Sequence, residues 1–218
     1  ISSVFDPASM SSKQIDNKIC QLMIDGKEIY NLNKENLLNA EPDLIISQNI
    51  CEVCSAHTEH VKMAVDMLEK KPEVYIMDPH DVDEILVSIR DISKMIGKEK
   101  EGNELVNSLS NRLECVKCKT FEERPKVVAI EWMDPFFTSG HWIPEMIGAA
   151  GGENLISTEK MPSRKMKLKE IQEANPDIIV MMPCGFDVKR TVFEYNNVLA
   201  GNPDWNELKA VKENNVYA

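Results

Sequence analysis

One phrase occurs in each half of this chain and limits what it can fold into: Glu41-Pro-Asp-Leu-Ile-Ile46 and Asn175-Pro-Asp-Ile-Ile-Val180. A Pro-Asp turn that feeds a compact β-branched run reads as a strand buried on both faces, as in a parallel sheet covered by helices. Such a strand reaches its parallel neighbour only through a crossover of a dozen residues or more. In the first half the crossover is predicted as a helix from Thr58 to Lys70, followed by a strand at Glu73-Val-Tyr-Ile-Met77. In the second half the spacing predicts a strand over Lys126–Glu131, helices over Ile143–Ala150 and Leu168–Ala174 with a Gly151-Gly152 stop between them, and a strand over Asp177–Met182. Two α/β halves follow from this pattern.

Ahead of the first phrase, Ile15, Ile19 and Leu22/Met23 recur at helical spacing behind a serine cap in Ser11–Met23, and Asn33–Asn39 repeats the theme in short form. Between the halves, Val82, Ile85, Ile89, Ile92 and Ile96 share a helical face, Gly97 interrupts, and Leu105, Leu109 and Leu113 resume it. The expected organisation is an N-terminal α/β lobe over 1–80, a connecting helix or helix pair over 81–119, and a C-terminal α/β lobe over 120–218. The fold class is therefore α/β, with parallel-rich sheets in two lobes.

A net charge of −11 and a pI of about 4.9 argue against a basic nucleic-acid binder. No apolar run reaches the length of a bilayer span, and Ile1-Ser-Ser-Val-Phe-Asp-Pro7 has neither the basic nor the apolar region of a signal peptide. Dinucleotide, phosphate-loop, nucleophile-elbow and zinc-protease signatures are all missing, which favours a binding protein over an enzyme. Six cysteines are too few for a disulfide scaffold. Four of them form two C-x-x-C pairs, Cys51/Cys54 and Cys115/Cys118, whose separation is far wider than a zinc ribbon uses. A cysteine-based redox or metal-handling protein, using Cys51 and Cys54 with Cys184, is the rival from a different class. Unpaired thiols also keep a cytoplasmic setting open.

Ligands of parallel α/β sheets collect beyond the carboxyl ends of strands. The residues there are Gln48, Asn49 and Cys51 after the first strand, Trp132 to Trp142 after the second-lobe strand, and Pro183-Cys-Gly-Phe186 after the last. The 132–142 stretch holds Trp132, Phe136, Phe137, His141 and Trp142; read as a Pro- and Gly-containing loop, it is a better cleft wall than core. One of the two adjacent phenylalanines is expected to turn inward. His141 is read as a cleft-lining donor, because no second ligand stands at metal-binding spacing, and no metal site is expected. His57, His60 and His80 are read as solvated, and the basic run Lys160–Lys169 as a solvated face or a docking surface.

The phrases 41–54, Glu131-Trp-Met-Asp-Pro-Phe-Phe-Thr-Ser-Gly-His-Trp-Ile-Pro-Glu145, Ala150-Gly-Gly-Glu-Asn154, Pro183-Cys-Gly-Phe186 and Asn215-Val-Tyr217 resemble the periplasmic-type substrate-binding proteins of cobalamin, haem and iron-siderophore ABC importers, and most of all the cobalamin branch. The resemblance implies two lobes bridged by a rigid helix. A corrinoid would be held non-covalently in the cleft between them, with an ABC permease dimer as partner and an extracytoplasmic location. By position it places Phe137 against the ligand, with His141 and Trp142 in the same loop, Gln48 and Asn49 on the opposing lip, and Cys51, Cys184 and Phe186 nearby. It also implies Glu59 and Glu170 as carboxylates that dock on permease arginines. Lips poor in Arg and Tyr favour a weakly charged corrinoid over an anionic siderophore or haem. Relatives of this kind extend beyond both ends, so the resemblance reads this chain as an internal portion whose first lobe exposes sheet edges.

Overall fold

The computed structural model describes residues 2–51, 53 and 58–218, with Thr58 and Glu59 described by their backbone alone. Cys54 and His57 lie outside the described residues. The chain divides into two compact units, 1–79 and 80–218.

In the first unit, β1 (Ser2–Ser3) precedes α1 (Ser12–Ile24), β2 (Tyr30–Asn31), α2 (Lys34–Ala40), β3 (Leu44–Gln48), α3 (Thr58–Met67) and β4 (Glu73–Met77). The predicted serine cap is present: Ser11 accepts from the Gln14 amide while the Gln14 side chain accepts from the Ser11 amide, closing a reciprocal box at the start of α1. β3 and β4 run parallel in register from Leu44/Glu73 to Gln48/Met77, as the crossover argument requires, and β1 pairs with β2 in a separate antiparallel ribbon.

The second unit opens with α4 (Val82–Met95) and α5 (Glu99–Lys117). The expected connecting element over 81–119 is thus a helix pair packed on itself, and both helices belong to this unit. Gly97 ends α4 with a φ of 68°, a left-handed stop that glycine adopts freely. Gly102 then lets α5 close on α4, since a Cβ there would fall 2.0 Å from the Ser93 hydroxyl oxygen.

The rest of the unit comprises β5 (Lys126–Met133), β6 (Phe136–Thr138), α6 (Ile143–Ala149), β7 (Glu153–Asn154), α7 (Leu168–Ala174), β8 (Ile178–Met181), α8 (Val188–Val198), α9 (Pro203–Asn206), α10 (Lys209–Lys212) and β9 (Val216–Tyr217). Its sheet has the order β6-β5-β8-β9, with β7 also on β5; β5, β7, β8 and β9 are parallel and β6 is an antiparallel edge. Val128, Ile130, Ile179 and Met181 from the central strands pack with Ile171, Leu199, Trp205, Leu208 and Ala210 into one contiguous core. Trp205 is fully buried, and its indole N–H donates to the Tyr195 hydroxyl at 3.2 Å, so the large apolar body is covered and its polar atom satisfied. No helix of the described residues is long and apolar enough to cross a membrane.

Candidate ligand-binding site

The stretch expected as a loop at 132–142 is largely a β-hairpin, and its register sorts the aromatic residues. Met133 stands opposite Phe136, and Trp132 opposite Phe137. Directly opposed residues of an antiparallel pair share a face and their neighbours take the other. Met133 is buried and Phe136 packs with it on the core, its ring stacked on Trp205 with centroids 5.7 Å apart. Phe136, expected as a ligand contact, is partly buried and packs against the core. Trp132 and Phe137 take the opposite face of the ribbon, both only half-buried.

A bulge between Ile130 and Trp132 leaves Glu131 as the extra residue, and bulges re-aim side chains. Glu131 turns to accept the Gly140 amide at 3.0 Å. Burial pushes its carboxyl above the usual carboxylate range, opposed by the hydrogen bonds from Gly140 and Ser163. Gly140 passes so close to the neighbouring segment that a Cβ would sit 2.5 Å from the Ser163 nitrogen.

Phe186, beyond β8, meets Trp132 with centroids 5.2 Å apart and planes at 58°. Trp132, Phe137 and Phe186 are the aromatic side chains that the hairpin and the β8 exit place around the carboxyl ends of β5 and β8. Two cations accompany them: the Arg190 guanidinium lies 3.8 Å from the Phe186 centroid, and the Lys165 ammonium 5.5 Å from that of Phe137. Arg190 adds a cation to lips expected to be poor in arginine, and it stands in a helix over Val188–Val198 that the apolar spacing does not predict. Asp187 caps that helix, α8, by accepting the Arg190 amide at 2.8 Å. Cys184 is exposed in the same turn, and Cys51 is half-buried in the first unit.

His141 has a φ of 52° and is held from both sides, its amide donating to Met161 O at 2.7 Å and its carbonyl accepting from Lys160 N at 3.0 Å. Its ring lies 5.8 Å from that of Trp142 and 5.4 Å from that of His80. His80, read as solvated, is only partly exposed. His60 also departs from that reading: it is buried in the first unit, with Nε2 3.0 Å from a Glu28 carboxylate oxygen.

The basic run is not a bare cationic face. Lys160 pairs with Asp81 at 2.7 Å, Arg164 with Glu170 at 2.8 Å, Lys169 with Glu173 at 3.6 Å, and Lys165 covers Phe137. Glu170 also accepts the Lys167 amide at 2.9 Å, and Arg164 is the main reason its carboxyl is held below the usual range. The carboxylate expected to meet permease arginines is thus engaged within its own unit. The Glu59 side chain lies outside the described residues.

In the first unit, Gln48 ends β3, and the Asn49 amide prolongs the pairing by donating to Met77 O at 2.8 Å. Gln48 also lines an apolar groove of about 580 Å³ with Tyr30, Leu37, Ile45, Val61 and Met77. Among the described residues, no three His, Cys, Asp or Glu side chains gather as a metal cluster, and Cys115 and Cys118 are exposed near the end of α5.

A family model described as periplasmic binding protein matches residues 9–218. Among curated relatives, the high-affinity heme uptake system protein IsdE of Staphylococcus aureus (strain Newman) is 29% identical over 123 residues, covering 54% of this chain and 41% of its own length. The chain spans less than half the length of the curated relatives it matches. Among solved structures, S. aureus IsdE complexed with heme superposes with a TM-score of 0.68 at 21% identity, over 86% of this chain and 71% of that one. The periplasmic vitamin B12 binding protein BtuF of Vibrio cholerae does so with a TM-score of 0.61 at 19% identity, over 86% and 69%. An ABC transporter substrate-binding protein from Listeria monocytogenes EGD-e reaches 0.68 at 22% identity, over 84% and 69%. These likenesses carry the fold.

Proposed function

The chain belongs to the periplasmic binding protein family, and on that footing we propose that it captures a metal-bearing tetrapyrrole-type macrocycle, a corrinoid first, for delivery to an ABC permease. The observation that carries the reading is the aromatic group of Trp132, Phe137 and Phe186. Rings held by a hairpin and a strand end offer flat apolar area at low entropic cost, which suits a large planar ligand. Burial of several hundred Å² of macrocycle, at about 25 cal/mol per Å², is the right order for micromolar or tighter affinity after ordering costs. Trp142 and His141 extend the wall. Family membership supports an extracytoplasmic place of work, a small-molecule ligand and an ABC permease partner, and in this reading Glu59 is a docking carboxylate.

A second ligand, haem, is favoured by one specific observation: Arg190 and Lys165 sit on Phe186 and Phe137. Cations beside an aromatic wall suit the carboxylates of haem better than they suit a weakly charged corrinoid. The curated relative named as a heme uptake protein points the same way.

The deciding experiment titrates the purified chain with cyanocobalamin and, in parallel, with haemin, followed by visible absorbance and calorimetry. Saturable one-to-one corrinoid binding that Phe137→Ala and Trp132→Ala each weaken at least tenfold supports the first ligand. Tight haemin binding that Arg190→Gln weakens supports the second. No binding of either by a chain that includes the family's flanking segments refutes the reading.

A further inference from the structure

The sequence discounts His141 as a metal ligand for want of a partner at ligand spacing; the fold brings one from 61 residues away. Nδ1 of His80 lies 3.3 Å from Nδ1 of His141, with the two ring planes 33° apart. Imidazole nitrogens face each other at that distance in one of two ways. One ring's N–H donates to the other's lone pair, or both lone pairs converge on a cation between them. Two nitrogens each about 2.0–2.1 Å from a tetrahedral zinc ion stand roughly 3.3–3.4 Å apart. The spacing of this pair is already that of two ligands.

We propose that His80 and His141 form a two-nitrogen site for a divalent late-transition-metal ion of the zinc, nickel and copper class, with solvent or a small exogenous ligand completing the coordination. Imidazole suits these metals, and a pair without thiolate or free carboxylate selects against calcium and magnesium.

Both ligands are held in place before any ion arrives. His141 occupies the left-handed region, which a non-glycine residue keeps only where its surroundings hold it there. Those surroundings are the two backbone hydrogen bonds to Lys160 and Met161. His80 donates its amide to Glu84 Oε2 at 2.6 Å immediately before α4. Two further links tie the start of α4 to the segments around His141: Asp81 pairs with Lys160 at 2.7 Å, and the Val82 amide donates to Glu145 Oε2 at 3.2 Å. The same contacts occupy the nearby carboxylates, so they act through their charge. Asp81, Glu84 and Glu145 outnumber Lys160 and Lys117, the latter 3.7 Å from Glu145, and the local field favours a dication. Metal binding would bolt the start of α4 to the turn carrying His141 and Trp142.

The test is a cobalt(II) titration of the chelator-stripped full chain followed by visible absorbance, with zinc(II) calorimetry beside it. The expected result is one saturable ion with ligand-field absorption and no thiolate charge-transfer band. His80→Gln and His141→Gln should each weaken binding at least tenfold, and Cys51→Ser with Cys54→Ser should leave it unchanged. Nitrogen-15 imidazole spectra of the unsubstituted chain guard against a misfolded variant, because zinc should move the Nδ1 resonances of two histidines only. No saturable binding, a thiolate band, or zinc shifts confined to other histidines overturns the proposal.

Discussion

The two units use the same phrase to build a strand, and they bury it to very different degrees. In the second unit β8 is flanked by β5 and β9, and Ile179 is completely buried. In the first unit β3 has β4 as its pairing partner; Ile45, the counterpart of Ile179, is only half-buried, and Ile46, the counterpart of the half-buried Val180, is 43% exposed, as is Ile76 on β4. A strand sequence rich in β-branched residues specifies a buried strand, but burial depends on how many strands and helices cover it. A two-stranded parallel sheet leaves apolar edges and faces that invite further cover.

The largest effect that would sharpen this contrast is in the second unit's core. Trp205→Ala removes a fully buried indole stacked on Phe136, and should cost about 3–5 kcal/mol in chemical unfolding. Ile46→Ala should cost far less, and equal losses at the two sites would break the comparison. Gly140→Ala comes next: its Cβ meets backbone at 2.5 Å, and a strained repacking of about 1–3 kcal/mol is expected, with the His141 imidazole resonances displaced.

Smaller effects test the phrase itself. Its first residue closes the preceding helix in the left-handed region in both copies, at Glu41 with φ 40° and at Asn175 with φ 46°. Asparagine adopts that conformation at lower cost than glutamate, so Glu41→Gly should stabilise the first unit by about 1 kcal/mol, read as a shift in the unfolding midpoint.

Its third residue pairs with a lysine in both copies: Asp43 with Lys70, fully exposed, and Asp177 with Lys209 at 2.7 Å. In each case the lysine hydrogen bond is the main cause that lowers the aspartate pKa. A carboxyl whose folded pKa lies below its unfolded value stabilises the fold above the unfolded value, near 3.9 for a free aspartate, and loses that contribution as pH falls through the folded one. Asp177 also accepts the Lys126 amide at 2.8 Å and so anchors the start of β5. Asp177→Asn should flatten the acid limb of a stability–pH curve measurably, whereas Asp43→Asn should leave it unchanged, as solvent screens an exposed pair.

Much of the architecture was legible from periodicity. Strands β3, β4, β5 and β8 and the helices over 12–24, 34–40, 58–67, 143–149 and 168–174 fall within a few residues of their expected positions, because apolar spacing, caps and the Pro-Asp turns agree with one another, whereas the two-residue strands β7 and β9 are too short to leave a pattern. The β5–β6 hairpin was hidden, since its strand of three residues straddles aromatics that also suit a loop. Helix α8 is hard to read from the sequence because its core-facing residues Tyr195 and Val198 are outnumbered by Val188, Val192 and Phe193, which face solvent and blur the apolar stripe. Arg190, and with it a cation on the aromatic wall, went unseen for that reason.

By itself the sequence determined the α/β class, the two halves, the longer parallel strands β3, β4, β5 and β8, and the serine cap of α1, all of which rest on neighbours within a turn or a strand. Tertiary structure alone decided that Phe136 packs on the core while Phe137 takes the opposite face of the hairpin, that the basic run is paired, and that His80 meets His141. Each of these depends on strand register or on contacts between segments distant in the chain, and no local preference encodes which distant side chain will stand 3.3 Å away.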